Sequence, residues 1–175
     1  MSTIGTMTAL DGNRGAVRVE EVYDTDIADL WRACTEPERL ARWIAHVTGE
    51  PRLGASVHVV FTSTWAGETR IDVCDAPHHL LVTGEPGTPD ESQIEAWLTT
   101  EGTRTRLVVE ERGLPVGKLH FFGAGWQTHL EDLATALAGD GPVHPDGWSD
   151  QTPAAAWRDR WTELSSAYQD EAVLG

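Results

Sequence analysis

Asp24-Thr25-Asp26-Ile27-Ala28-Asp29-Leu30-Trp31-Arg32-Ala33-Cys34-Thr35-Glu36-Pro37-Glu38-Arg39-Leu40-Ala41-Arg42-Trp43-Ile44 carries two helix starts in close succession. Asp26 can accept from the first free N–H groups, and Asp29 three residues on completes a start like a capping box. Ile27, Leu30, Trp31 and Cys34 then recur at helical spacing and form one apolar stripe. Thr35 offers a second cap, with Pro37 in the first turn and Glu38 at the third position. Leu40, Trp43 and Ile44 supply the apolar side of this second, shorter helix.

Before this pair, Ala16–Tyr23 alternates apolar and polar residues at its start and reads as a strand. After it, residues 55–113 read as a meander. Ser56–Ser63, Glu68–Cys74, His79–Gly84, Gln93–Thr100 and Thr103–Glu111 are strand-like runs separated by Ala66-Gly67, Asp75-Ala76-Pro77, a Pro/Gly loop over 86–90 and Glu101-Gly102. With the first strand they make a six-stranded antiparallel sheet. Strands at this spacing with no helices between them exclude a parallel βαβ layout. The period then changes. Phe122, Trp126, Leu130, Leu133 and Leu137 define a long amphipathic helix over 120–138, with Glu131, Asp132 and Thr135 facing away and Gly139 ending it. Residues 1–14 read as a flexible N-terminus, 15–139 as the α+β domain, and 140–152 as a linker. Residues 153–172 read as an additional helix, capped by Thr152 with Pro153 at its first position. Its stripe of Trp157, Trp161, Leu164 and Tyr168 must be buried, either on its own domain or on a second subunit in a two-fold homodimer.

The order strand, two short helices, antiparallel meander, long helix resembles the START-like (SRPBCC, helix-grip, birch-pollen-allergen-like) superfamily. Thr35-Glu36-Pro37-Glu38-Arg39-Leu40-Ala41-Arg42-Trp43 is similar to the second-helix motif of the branch named after the activator of heat-shock protein 90 ATPase. Gly123-Ala124-Gly125-Trp126-Gln127-Thr128-His129-Leu130-Glu131-Asp132-Leu133 is similar to its long-helix motif, and Gly102-Thr103-Arg104-Thr105-Arg106-Leu107 to its last hairpin. The resemblance implies a six-stranded sheet curled around the long helix, with a cavity between them. It also implies a functionally broad family of lipid carriers, polyketide cyclases and co-chaperone domains. Members often end soon after the long helix, and often carry His in the last strand where this chain has Glu111.

The chain has 175 residues, with 28 acidic against 13 basic side chains and a formal charge of −15. That balance disfavours nucleic acid, which requires clustered Lys and Arg, and no apolar run approaches the length of a membrane span. Residues 1–10 carry no leader-like pattern, so Cys34 and Cys74 read as free thiols in a reducing, cytoplasmic compartment. No CxxC, HxH or HExxH spacing occurs, so no metal is expected. Gly123-Ala124-Gly125 opens no dinucleotide fingerprint, because Thr128 stands at the third glycine position and no βαβ unit surrounds it. Those glycines instead suit close packing of the helix start on the sheet, or a cavity lid. There is no GxSxG, neither Cys sits in an activating context, and no cofactor is expected.

Two polar residues remain as candidates. Leu107, Val109 and Glu111 share a strand face, so Glu111 joins whatever that face lines. His129 lies between Trp126 and Leu133 on the sheet-facing side of the long helix. Such a pair in an apolar cavity can anchor a polar ligand group or move a proton. Equally, Glu111 can reach solvent at the cavity mouth while a backbone carbonyl satisfies His129. The candidate ligand-lining residues are Val59, Phe61, Ile94, Ala96, Leu98, Leu107, Val109, Phe122, Trp126 and His129. Trp65 and Trp97 fall in a turn or on the opposite parity, where the extra helix could cover them. The eight tryptophans suit a bulky core or an aromatic-walled cavity. The expected function is binding of a hydrophobic or aromatic small molecule. Two alternatives stay open: a cyclase- or aromatase-like enzyme using Glu111 and His129, and a co-chaperone-like interaction domain.

Overall fold

The computed structural model describes residues 3–145 and 149–174. Its architecture is α+β: an antiparallel sheet curled against a long helix near the C-terminus. The strands are β1 (Gly5–Ala9), β2 (Arg14–Tyr23), β3 (Ala45–Thr48), β4 (Ser56–Phe61), β5 (Ala66–Asp75), β6 (His79–Gly84), β7 (Ser92–Glu101) and β8 (Arg104–Pro115). The helices are α1 (Ile27–Thr35), α2 (Pro37–Leu40), α3 (Leu119–Ala138) and α4 (Ala155–Leu174). The strands form one sheet in the order β1-β2-β8-β7-β6-β5-β4-β3, so the first long strand closes on the last.

Among the described residues the sheet therefore has eight strands, not six. β1 lies within the stretch expected to be flexible, where it pairs Met7 with Val17 and Ala9 with Gly15. β3 is four residues long and pairs Val47 with Val59. Neither run has a strong local strand signal. Their ladders are completed by partners remote in sequence, a contribution that context supplies and propensity does not.

α1 starts as its sequence predicts: the Asp26 carboxylate accepts from the Asp29 N–H at 2.7 Å. Asp29 in turn accepts from Arg39 at 3.0 Å, clamping α1 to α2. The second start differs. Glu36 is the cap residue of α2 and makes no side-chain cap bond, with Pro37 following it. Thr35 Oγ1 donates backward to Trp31 O at 2.7 Å, satisfying a terminal carbonyl of α1.

The core lies between the inner sheet face and α3. Val17 and Val19 of β2, Leu98 of β7 and Leu107 of β8 are almost wholly buried, as are Leu130 and Leu133 of α3. α3 is covered on a second side as well. Ala124, Leu164 and Tyr168 are fully buried between α3 and α4. A Cβ on Gly123 would stand 2.8 Å from the Tyr168 ring, so the absence of a side chain lets the two helices touch. The Gly123–Gly125 pair thus accommodates α4, not the sheet. The expected outward face of α3 is also occupied. Glu131 accepts from Arg160 at 2.7 and 2.9 Å, and Asp132 bonds His144 at 2.8 Å.

α4 begins at Ala155, two residues after the position expected from Thr152 and Pro153. Ala154 takes the cap position: its N–H donates to Thr62 O, and its carbonyl accepts from Arg158 N–H at 2.9 Å. The stripe Trp157, Leu164 and Tyr168 is buried within the chain itself. The segment 140–152 is tied down at Val143, whose N–H donates to Arg42 O at 2.8 Å, and at His144. Positions 146–148 of that expected linker lie outside the described residues. No helix among the described residues is long and apolar enough to cross a membrane.

Candidate functional site

A cavity of about 400 Å³ lies where the sheet, α3 and α4 meet. The sheet contributes Phe61, Ile94 and Glu111; α3 contributes Phe122, Trp126 and His129; α4 contributes Trp157, Arg158 and Trp161. The β4–β5 turn adds Thr64 and Trp65. Thr64 lies in the left-handed region with φ 82°, a costly place for a β-branched residue. The turn it makes brings Trp65 beside Phe61, with ring centroids 5.2 Å apart.

A second cavity of about 200 Å³ opens on the other side of the Trp126 indole. Its walls are mainly aliphatic: Val57, Val59, Ile71, Leu80, Leu107 and Val109, with Cys34 from α1 and Trp43 from the turn after α2. Phe61, Ile94 and Trp126 border both spaces and form the partition.

Glu111 fixes that partition. Its register opposite Val17 and Ile94 places it in the middle of the sheet, and its side chain is 8% exposed. Oε1 accepts from the Trp126 indole N–H at 2.8 Å, and Oε2 from Ser92 Oγ at 2.9 Å. Burial pushes its carboxyl above the ordinary range, a shift the two donors oppose. The option of Glu111 reaching solvent at a mouth is therefore overturned: the carboxyl is an inner wall.

His129 is 3% exposed and packed edge-on against Phe61 and Trp126, with centroids at 5.6 and 5.7 Å. The Trp157 indole N–H donates to its Nδ1 at 3.3 Å. An indole nitrogen can only donate, so Nδ1 is the acceptor and the neutral ring carries its proton on Nε2. Burial, and secondarily the nearby His144, lowers its pKa to about 3. His129 is satisfied by an indole rather than by the backbone carbonyl that the sequence left as an option. Chemically the pair offers a buried carboxyl of raised pKa and a neutral imidazole with an N–H to give, both facing one aromatic chamber. Cys34, in the aliphatic space, has its thiol pushed up to about 12 by burial, which leaves no thiolate. Among the described residues no group of three or more His, Cys, Asp or Glu is placed to hold a metal.

Of the residues expected to line a pocket, Phe122 and His129 face the larger space, and Phe61, Ile94 and Trp126 face both. Val59, Ala96, Leu107 and Val109 face the smaller one. Leu98 faces neither and is core. Missing from that set were Trp65, Trp157, Arg158 and Trp161, for three of which the surplus of tryptophan was the available signal; Ser92, which lines neither space, acts through its bond to Glu111. Trp97 is not covered by α4. It stacks on His79 at 5.8 Å, with the Arg18 guanidinium 5.6 Å from its ring.

Sheet, gripped helix and interposed chamber define an α+β protein of the helix-grip class. A model of the family described as activator of Hsp90 ATPase homolog 1-like protein matches residues 24–138, and the chain belongs to that family. No curated protein matches it. Among solved structures it is similar to CalU16 from Micromonospora echinospora, at 22% identity and TM-score 0.72 over 97% of this chain and 98% of that one. DynU16, described as a putative protein in the dynemicin biosynthetic locus, is 27% identical with TM-score 0.67; the match covers 77% of this chain and 50% of that one. EF2215 from Enterococcus faecalis, a conserved protein of unknown function, is 18% identical with TM-score 0.68 over 97% of this chain and 90% of that one. The family model stops at the end of α3, whereas the matches to CalU16 and EF2215 extend over nearly the whole fold.

Proposed function

We propose that the chain binds a hydrophobic or aromatic small molecule in the 400 Å³ chamber. The observation that carries this reading is the chamber's composition: aromatic rings from sheet, turn, α3 and α4 surround only a few polar groups, with Glu111 and His129 buried among them. Ligand sites are concave, mostly apolar and oriented by few polar groups, and this volume suits a drug-sized molecule. Membership of the family and the likeness to a protein of the dynemicin biosynthetic locus support it further. Glu111 would accept from a ligand hydroxyl or amine, and His129 Nε2–H would donate to a ligand oxygen.

Native mass spectrometry of freshly purified protein tests the reading. A non-covalent mass excess that disappears on denaturation is the expected outcome. Absence of any excess, together with no binding of the neutral fluorophore N-phenyl-1-naphthylamine, would sink it.

A second reading, a cyclase- or aromatase-like enzyme, draws on the placement of Glu111 and His129 around one space. A buried carboxyl whose pKa burial raises can take and return a proton, while the neutral His129 would polarise a carbonyl by hydrogen bonding. Once a captured ligand is identified, Glu111→Gln separates the two. Retained binding with chemical conversion abolished marks an enzyme; weakened binding with no conversion in either protein marks a carrier. The protein-interaction reading has less support, because Trp157, Leu164 and Tyr168 of the α4 stripe on which it relied are buried within the chain, with Trp161 partly so.

A further inference from the structure

We infer that α4 makes the chamber selective for a planar aromatic anion, with the rings of Trp157 and Trp161 taking the flat body and Arg158 the acidic group at the rim. The inference rests on the reading of the chamber as a small-molecule site and names the class of molecule it takes.

The α4 wall is flat and electronically uniform. Trp157 and Trp161 are stacked with centroids 6.2 Å apart and 15° between planes, and Phe121 continues the stack against Trp161 at 5.4 Å and 28°. Both indole N–H groups are already committed, Trp157 to His129 and Trp161 to Phe121 O at 3.0 Å. What these side chains can still present is π surface, which favours a planar partner over an aliphatic one.

Arg158 lies between them in sequence and borders the same chamber. The two arginines of α4 differ. Arg160 is paired with Glu131 and Glu163. Arg158 is exposed and makes no side-chain hydrogen bond or ion pair among the described residues, in a chain with 28 carboxylate side chains. It also stands in the first turn of α4, where the helix dipole opposes a cation. Neither helix stability nor surface pairing accounts for its position, whereas a planar guanidinium beside stacked rings suits a carboxylate, sulfonate or phenolate carried by an aromatic body. The chamber is polar at two ends of opposite character. Glu111 on the sheet side has both oxygens accepting, from Trp126 and Ser92, and offers an anion no donor, so the acidic group points toward α4 and the rings point inward.

Two fluorophores with the same ring system test this directly: 8-anilinonaphthalene-1-sulfonate and its uncharged counterpart N-phenyl-1-naphthylamine. Fluorescence titrations would be run on the full chain and on Arg158→Gln, Arg158→Lys and Trp161→Leu. Arg158→Gln is expected to weaken the sulfonate about tenfold, the effect of one charge-assisted contact, and to leave the neutral probe unchanged. Arg158→Lys should recover part of the loss, and Trp161→Leu should weaken both probes. If Arg158→Gln alters both probes equally, or neither, the role of Arg158 is overturned while the chamber as an aromatic site stands. If neither probe binds the wild-type chain and native mass spectrometry shows no mass excess, the chamber reading falls as well.

Discussion

The two cavities share a wall and little else. On one side of Trp126 the space is bordered by aromatic rings, a buried carboxyl and a buried imidazole; on the other it is bordered mostly by methyl groups. The difference follows from which elements close each space. The smaller cavity is enclosed by the sheet and the α1–α2 pair, whose facing side chains come from alternating strand positions and a helix stripe selected for burial. Its surface, with Arg52, Thr35 and Thr69 among a mainly aliphatic lining, offers an occupant chiefly dispersion and hydrophobic contact. The larger one is closed by α4, which brings indole rings and a guanidinium to the same space that the Glu111 carboxyl of the sheet borders. A helix-grip core leaves space in both places. Only where polar groups converge on that space can an occupant be oriented.

The contrast predicts which substitutions affect stability alone and which also affect the site. The largest effect is expected at the α3–α4 contact. Leu164 is fully buried there, and Leu164→Ala should lower unfolding free energy by about 3 kcal/mol, the cost of a large-to-small core change. Urea unfolding followed by tryptophan fluorescence measures it. Because α4 closes only the larger cavity, binding of N-phenyl-1-naphthylamine should fall in parallel; unchanged binding would mean the probe sits in the aliphatic space.

An intermediate effect is expected from acid. His129 has a folded pKa of about 3 against an ordinary value of 6.5. Between those values the unfolded chain holds a proton that the folded chain does not, so the stability this residue confers is present above pH 6.5 and is lost as pH falls toward 3. By pH 5 the loss should be about 2 kcal/mol. His129→Asn keeps an oxygen acceptor for the Trp157 N–H and cannot titrate, so its urea midpoint should vary less from pH 7 to pH 4 than the wild type's. Equal slopes would place His129 in contact with water.

The smallest effect is expected in the aliphatic cavity. Val59→Ala removes two methyl groups from a wall that is 6% exposed, at a cost of about 1–2 kcal/mol. Probe affinity should be unaltered. A clear affinity change would make the two spaces one site and dissolve the distinction.

Much of this arrangement was legible in the chain. Asp26 and Asp29 mark the α1 start because a cap is satisfied within one turn. The alternation of Leu107, Val109 and Glu111 assigns them to one face because strand geometry has period two. Phe122, Trp126 and His129 fall on one side of α3 by helical period. Other features were not legible because their determinants are not local. β1 and β3 exist through ladders to Val17 and Val59. The start of α4 is displaced because Ala154, not Thr152, finds a remote partner in Thr62 O. The glycines of α3 were readable as sites of close approach, but their partner, Tyr168, lies far along the chain.

The sequence by itself determined the layers: one antiparallel sheet, a helix pair after its first long strand, and a long helix to grip, together with the apolar faces that must meet. Periodicity and capping are properties of neighbouring residues, so a linear chain carries them in full. Only the tertiary structure decided that there are two unlike spaces, that Trp126 divides them by donating to Glu111, and that Trp157 sets the tautomer of His129. Those relations join side chains from separate elements across a few ångströms, and they exist only once the sheet has curled and α4 has folded back onto α3.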